Sequence, residues 1–384
     1  MEAQLPGALT GPIDLQATPA KTTLARQGPN TATIVVTSYE QARTLMTDRR
    51  WRRQRAGAHD LVGPASAMSV TEMDPPRHSE VRGLVGQMFS PRAIRSLRGR
   101  VQQRAVELVD RMIHAGGPAD LVAMFCAPFT FAVQCDLLGV PEDARNSIHQ
   151  LSMIRSGLSD ATAQEIYDAE VALQSEVTGA LQHIRARGGD GVFARLIEMY
   201  DSAVLNASEQ TGLASSLLFD GHILASSQIA NAIATVLCYP ATPPLITPGR
   251  RVEPAALEEL LRWSPAITLG MPRTACTWLN IGKKTVKPGQ TAVVAFGLVN
   301  RDPGVFDQPN VLDLRRDPNR HLAFGYGTHY CLGAYLARLE LDVAVNTLLA
   351  RLPKLSLCVD ERDLAWSASH TIRRLLSLPV KWEG

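Results

Sequence analysis

Between Ser208 and Tyr239 the chain carries a long run rich in Ala, Leu and Ile that stops at Pro240. Such a segment is apolar around much of its girth, so covering one face does not satisfy it. A helix of this kind belongs at the centre of a large core. The rest of the chain must then supply the layers around it. Apolar residues return every three or four positions in PRAIRSLRGRVQQRAVELVDRMI, PFTFAVQCDLLGV and DAEVALQSEVTGALQHIRARGG, so residues 92–238 read as mostly helical. With 384 residues, 45% of them hydrophobic, the chain can bury such a core without staples.

The period changes elsewhere. TATIVVTS, residues 31–38, is β-branched and reads as strand, with helix following over 39–48. A Pro-rich connector, YPATPPLITPGR, leads into EPAALEELLRW, a short helix with Pro254 suited to its first turn. WLNIGKKTVKPGQTAVVAF alternates, and its turn signals at Gly282-Lys283 and Pro288-Gly289 predict hairpin strands. A polar loop runs from 300 to 320, LGAYLARLELDVAVNTLLARL is helical, and SHTIRRLLSLPVKW reads as strand. No composition shift marks a boundary. The expectation is a single catalytic domain over 1–384, mainly α with a minor β part.

The formal charge is +2 and aromatics are 5%, which argues against a nucleic-acid surface. Six cysteines are scattered without a CxxC pair. That spacing excludes a zinc ribbon and covalent c-type haem attachment, and makes a disulfide framework a poor reading. The first residues lack a basic segment followed by an apolar run, and no stretch reads as an uninterrupted membrane helix. A cytoplasmic protein with no membrane contact is expected.

The segment HLAFGYGTHYCLGAYLARLE, 321–340, carries the most chemistry. Cys331 lies between a Gly-rich loop and the start of a helix. Glycines at 325 and 327 let backbone approach a flat ligand. N–H groups at the helix start favour an anion, here a thiolate. An isolated cysteine is usually a small buried hydrophobe. The segment is no dinucleotide fingerprint, because no GxGxxG follows a strand.

Phe324, Gly325, Gly327, His329, Cys331, Gly333, Leu336, Ala337 and Arg338 together form FGxGxHxCxGxxLAR. This is similar to the haem-ligand signature of the cytochrome P-450 family. The resemblance implies that fold, a haem b (heme b, iron protoporphyrin IX), and Cys331 as catalytic iron ligand with Phe324 and Gly325 beside the cofactor. Thiolate ligation pushes electron density toward O–O cleavage. Other segments resemble the family in its own order. Glu259 and Arg262 in ALEELLRW match its ExxR pair, neighbours at i and i+3, with Arg316 as the third member. His78 and Arg82 in MDPPRHSEVR match propionate contacts on one helix face, and Arg273 in MPRTA and His329 match two more. The resemblance further implies a substrate pocket lined by residues 57–72, Phe219 to Leu224 (including Ile223), 268–271 (including Met271), Thr371 and Ile372. The implied partners are a small-molecule substrate, O2 and a ferredoxin-type electron donor. Arg92, Arg95, Arg98, Arg100 and Arg104, with Arg338, are candidates for a basic docking face.

One segment departs from the family. Its central helix places an acid and a threonine where LLFDGHILASSQIANAI has Ile223 and Leu224, in a register fixed by Gly221, His222, Gln228 and Asn231. Neither side chain relays a proton. Three readings stay open: ordinary hydroxylation with water or a substrate hydroxyl as relay; an oxidation without oxygen insertion, such as arene coupling, desaturation or ring closure; or service by Ser226 or Ser227. PADLVAMFCAPFTFAVQCDLLGVPED and SHTIRRLLSLPVKW also resemble bacterial enzymes that oxidise cyclic dipeptides. The expected function is oxidation of a small natural product in secondary metabolism. A non-catalytic haem-binding protein is the rival from another class.

Overall fold

The β-branched run Ala32–Val36 does form strand, and it pairs with residues far away in sequence. The computed structural model describes residues 23–26, 32–53, 70–156, 161–239, 251–367, 369 and 371–383. The Pro-rich connector from 240 onward, and residues 57–69 of the expected pocket wall, lie outside them. Within the chain there are two compact units. Met1–Ala56, Ala105–Cys126 and Ser227–Gly384 form the larger, and Gly57–Arg104 with Ala127–Ser226 the smaller.

All strands among the described residues belong to the larger unit. They are β1 (Thr23–Arg26), β2 (Ala32–Val36), β3 (Trp51–Arg52), β4 (Ala119–Asp120), β5 (Arg273–Ala275), β6 (Leu279–Ile281), β7 (Lys284–Val286), β8 (Thr291–Val294), β9 (Ser356–Leu357) and β10 (Pro379–Lys381). A five-stranded sheet runs β1-β2-β8-β5-β3, a three-stranded sheet β4-β10-β9, and β6 pairs with β7 alone. The turn at Gly282 closes the expected hairpin, but the turn at Gly289 does not close a second one. Instead β8 pairs parallel to β2, Val35 opposite Val293, and antiparallel to β5. All four β8 residues are buried, and a strand covered on both faces belongs inside a sheet rather than at its edge. The C-terminal strand expected over 369–382 shrinks to β10, with isolated bridges at Ile372 and Leu375. Arg373, Arg374 and Leu375 are buried in succession, which an alternating strand with one wet face cannot do.

The main helices are α1 (Tyr39–Thr47), α2 (Arg77–Gly86), α3 (Arg98–Ala115), α4 (Ala127–Leu138), α5 (Glu142–Arg155), α6 (Ala163–Arg187), α7 (Gly191–Asp201), α8 (Ala207–Cys238), α9 (Pro254–Trp263) and α10 (Ala334–Arg351), and all but α2 fall in stretches read as helical from the sequence. Helix α1 covers the larger sheet, packing Tyr39, Ala42 and Leu45 into one core with Ile34, Val36, Val294 and Phe296.

The 32-residue α8 is long and apolar enough to cross a membrane, so the expectation that no stretch reaches that length is corrected. Its most apolar window is 78% buried in protein, as a core helix is. Scattered Ser, Gln, Asn and His residues had hidden the length. In the smaller unit α4 lies close on the first part of α8. A Cβ at Gly221 would sit 2.5 Å from Gln134 Cδ, and Gln134 Nε2 donates to Leu217 O at 2.8 Å. A side chain at 221 would therefore have to displace the Gln134 amide from its bond to Leu217.

Candidate active site

The loop that presents Cys331 is closed by its own backbone. Gly325 N–H donates to Leu322 O at 2.9 Å, Tyr330 N–H to Gly327 O at 3.0 Å, and Cys331 N–H to Phe324 O at 2.8 Å. Gly325 and Gly327 take φ of 74° and 72°, the left-handed region that favours glycine. At Gly327 space demands it as well, because a Cβ there would meet Met46 O, at the end of α1, at 2.9 Å. The result holds Cys331 with its side chain exposed, just before α10 begins at Ala334.

A charged cluster fixes this loop from behind. Glu258 accepts from Arg338 Nε at 2.6 Å and Nη2 at 2.8 Å. His321 Nε2 lies 2.9 Å from the same carboxylate, while His321 Nδ1 accepts from Ala323 N–H at 3.2 Å. With Nδ1 accepting, the hydrogen sits on Nε2 and is donated to Glu258. Burial alone would raise the Glu258 carboxyl, but the hydrogen bonds from Arg338 and His321 outweigh it and hold it at about 2. The Arg338 guanidinium also lies 4.5 Å over the Phe324 ring. Phe324 is therefore clamped, and its carbonyl receives the Cys331 N–H.

The next residue of α9 anchors a different loop. Glu259 and Arg262 are fully buried and joined by two 2.7 Å bonds. Arg316 Nε reaches Glu259 Oε2 at 3.1 Å, and Asn319 Nδ2 the same oxygen at 3.0 Å. Arg262 Nη1 donates to the carbonyls of Asn300 and Pro309. The three members expected from the sequence are together.

Arg273 is buried on β5 and His329 is half-buried in the turn before Cys331, both in the larger unit. Met271, exposed, follows a segment joined to residues 371–372. Thr268 and Leu269 N–H donate to Thr371 O at 2.9 and 3.4 Å, and Ile267 bridges Ile372. These two segments thus lie side by side. His78, buried, and Arg82, half-buried, belong to the smaller unit and stand four residues apart on α2. Phe219, Ile223 and Leu224 lie in the same unit on α8. The expected six-arginine face is corrected at two positions. Arg104 is paired with Asp136 at 3.0 Å, and Arg338 with Glu258. Arg92, Arg95, Arg98 and Arg100 are exposed.

Sequence reasoning passed over Glu258 and His321, which looked like ordinary solvated polar residues. It also passed over Asp220 on α8. The residues present fit a haem. An exposed thiol stands on a glycine-shaped loop beside a clamped aromatic ring, and soft thiolate is an established iron donor. Among the described residues no cluster of three His, Cys, Asp or Glu competes as a metal site.

Known proteins agree. The family model described as cytochrome P-450 matches residues 252–361. The chain is 35% identical over 354 residues to nocardicin C N-oxygenase of Nocardia uniformis subsp. tsuyamanensis, covering 91% of this chain and 89% of that one. It is likewise 35% identical over 353 residues to mycinamicin IV hydroxylase/epoxidase of Micromonospora griseorubida, with the same coverage. A solved cytochrome P-450 with biaryl coupling reactivity superposes at a TM-score of 0.82, with 33% identity and 93% and 91% of the two chains covered. This chain belongs to the cytochrome P-450 family and is a haem b monooxygenase that takes O2, a small-molecule substrate and electrons from a redox partner.

Proposed function

We propose that the chain tailors a small natural product, with Cys331 as the thiolate ligand, His78, Arg82, Arg273 and His329 holding the propionates, and Phe324 packed on the thiolate side. The observation that carries this reading is the exposed Cys331 thiol on a backbone-closed loop, clamped through Phe324, Arg338 and Glu258. When bound, haem b supplies the redox chemistry: with O2, two electrons and two protons, one oxygen enters a substrate C–H bond and the other leaves as water. Arg82 and Arg273 offer fixed positive charge to carboxylates. Phe219, Ile223, Leu224, Met271, Thr371 and Ile372 line the substrate space. The Ile223 and Leu224 side chains carry no exchangeable hydrogen, so the protons come from water, from a polar group of the substrate itself, or through Ser226 or Ser227.

Electrons come from a ferredoxin-type donor, an acidic protein matched to exposed Arg92, Arg95, Arg98 and Arg100. Opposite charge mainly speeds such association, and salt screens it.

A second reading is bond formation without oxygen insertion, on an aromatic or cyclic dipeptide substrate. Two substrate hydrogens and their electrons are then removed, and O2 with the two supplied electrons and two protons ends as two waters. The biaryl-coupling relative and the apolar Ile223–Leu224 pair favour it.

The test is spectroscopic. Haem-loaded protein, reduced under carbon monoxide, shows the red-shifted band of thiolate-bound iron. Cys331→Ala loses it, and Cys358→Ala keeps it. A histidine-type spectrum in well-folded parent protein sinks the reading. Reduction by a ferredoxin slows as ionic strength rises, and a rate indifferent to salt removes the arginine face.

A further inference from the structure

The middle of α8 has one open stripe. Leu217, Gly221 and Leu224 are half-buried and Asp220 is exposed, while Leu218, Ile223 and Ala225 are buried. Positions 217, 220, 221 and 224 recur at three- and four-residue spacing and so share one helix face. That face also carries Ser216, half-buried with its hydroxyl donating to Leu213 O, so Asp220 is its one charged group beside Leu217 and Leu224. Asp220 has no hydrogen-bond or ion-pair partner among the described residues. Its side chain touches open space, yet burial is the largest influence on its carboxyl and lifts the pKa to about 6. Both facts hold together when the side chain sits in a recess, with protein on most sides and space on one.

Among the described residues, the charges that act on Asp220 come from three side chains. Arg155, at the end of α5, opposes the rise, while Glu72 and Glu170 add to it. Arg155 acts on Asp220 through charge alone, without a direct bond. Its guanidinium lies 3.6 Å over the Phe219 ring and is bonded through Nε to Glu170 on α6. Asp220 and Glu170 therefore both act on one guanidinium, whose Nε is taken by Glu170 while Nη1 has no protein partner among the described residues. An anionic ligand would meet repulsion here. A neutral ligand would leave the carboxylate charge unanswered in a recess where charges are poorly screened.

We propose that Asp220 is the recognition group for a cationic nitrogen carried by the substrate, an ammonium or alkylated amine, with Leu217 and Leu224 receiving the adjoining carbon skeleton. This rests on the reading that the chain oxidises a small molecule, and it names the class of that molecule. An amine meets the ionised carboxylate, so affinity rises as the pH passes upward through about 6 and levels off above.

The probes are decyltrimethylammonium, which has no lone pair to place on iron, 1-decanol and decanoate. Their binding to the haem-loaded protein is measured by calorimetry between pH 5 and 8. At pH 8 the cation binds roughly tenfold or more tightly than decanol, an electrostatic preference of ordinary size at a partly screened site, and decanoate binds weakest. The preference shrinks toward pH 5. In Asp220→Asn it disappears, while decanol binds as before. Equal binding of cation and decanol to the parent, a preference for decanoate, or a cation preference that survives in Asp220→Asn overturns the proposal. The carbon monoxide band of each preparation reports on Cys331 separately. Loss of that band in the parent defeats the haem-thiolate reading, and a flat probe series with the band intact defeats the amine site alone.

Discussion

Glu259 and Arg262 in the larger unit and His222 in the smaller are all fully buried, but their surroundings differ. Both Glu259 oxygens accept bonds, from Arg262, Arg316, Asn319 and the Asp313 N–H, and Arg262 spends its remaining donors on loop carbonyls. Both ring nitrogens of His222 lack a protein partner among the described residues. So do Nε2 of His149, Oγ of Ser152 and Ser215, and Oε1 of Gln134. His222 has ring contacts instead, with Phe131 at 5.3 Å and Phe219 at 6.2 Å. Burial, helped by His149 and Arg155, pushes its pKa down to about 3, so it stays neutral. Depth alone does not say what a polar group is worth. A matched group is costly to remove because its partners are stranded, and an unmatched one strands nothing.

The largest effect tests the matched side. Glu259→Ala leaves Arg262 buried without its counter-ion, a loss of about 3–5 kcal/mol. That is a large part of the roughly 5–15 kcal/mol that keeps a protein folded. Urea titration of the haem-loaded variant should show a midpoint far below the parent and poor haem retention. A normal midpoint would mean that the ion network is not the fixture its geometry implies.

A smaller effect separates Glu258 from its neighbour. Its folded pKa, about 2, lies below the ordinary glutamate value of about 4.3. The stabilisation from the depressed pKa is therefore complete above that ordinary value and is lost as the pH falls toward 2. Glu258→Gln should melt lower than the parent at pH 7, and the gap should narrow steadily at pH 4 and pH 3. A gap that stays constant with pH would show that charge is not what Glu258 contributes.

The smallest effect belongs to the unmatched side. His222→Leu removes no protein hydrogen bond and replaces one buried ring with an apolar side chain, so stability should move by less than about 1.5 kcal/mol in either direction. A loss comparable to that of Glu259→Ala would erase the contrast between the matched pair and the unmatched ring.

The sequence disclosed these parts unevenly, for physical reasons. The Cys331 loop was legible because its chemistry is local: two glycines, an aromatic residue and a helix start within a few residues. The Glu259–Arg262 pair was legible from i, i+3 spacing, whereas Arg316 came from family resemblance, since no periodicity links residues 57 apart. Glu258 and Arg338 are 80 residues apart, and Arg104 and Asp136 are 32 apart, so each read as a free surface charge. The turn at Gly289 was visible, but a turn does not reveal which strand the chain meets next. Asp220 stayed unread because a lone aspartate on a long helix looks solvated until its carboxylate is seen to lack a bonded partner among the described residues.

The loop after residue 300 holds one more consequence. It contains Arg315-Arg316, a dibasic sequence that an extended chain would offer to trypsin at once. Here the Arg316 side chain is turned inward to Glu259, and its remaining nitrogens reach back to the carbonyls of Asp307, Gln308 and Val311. A protease needs that side chain in its own specificity pocket and the flanking backbone extended. The buried carboxylate therefore withholds the Arg316 side chain from a protease as well as bracing a fold, while Arg315 stays exposed. One cut at Arg316 becomes a sensitive gauge of damage anywhere along α9.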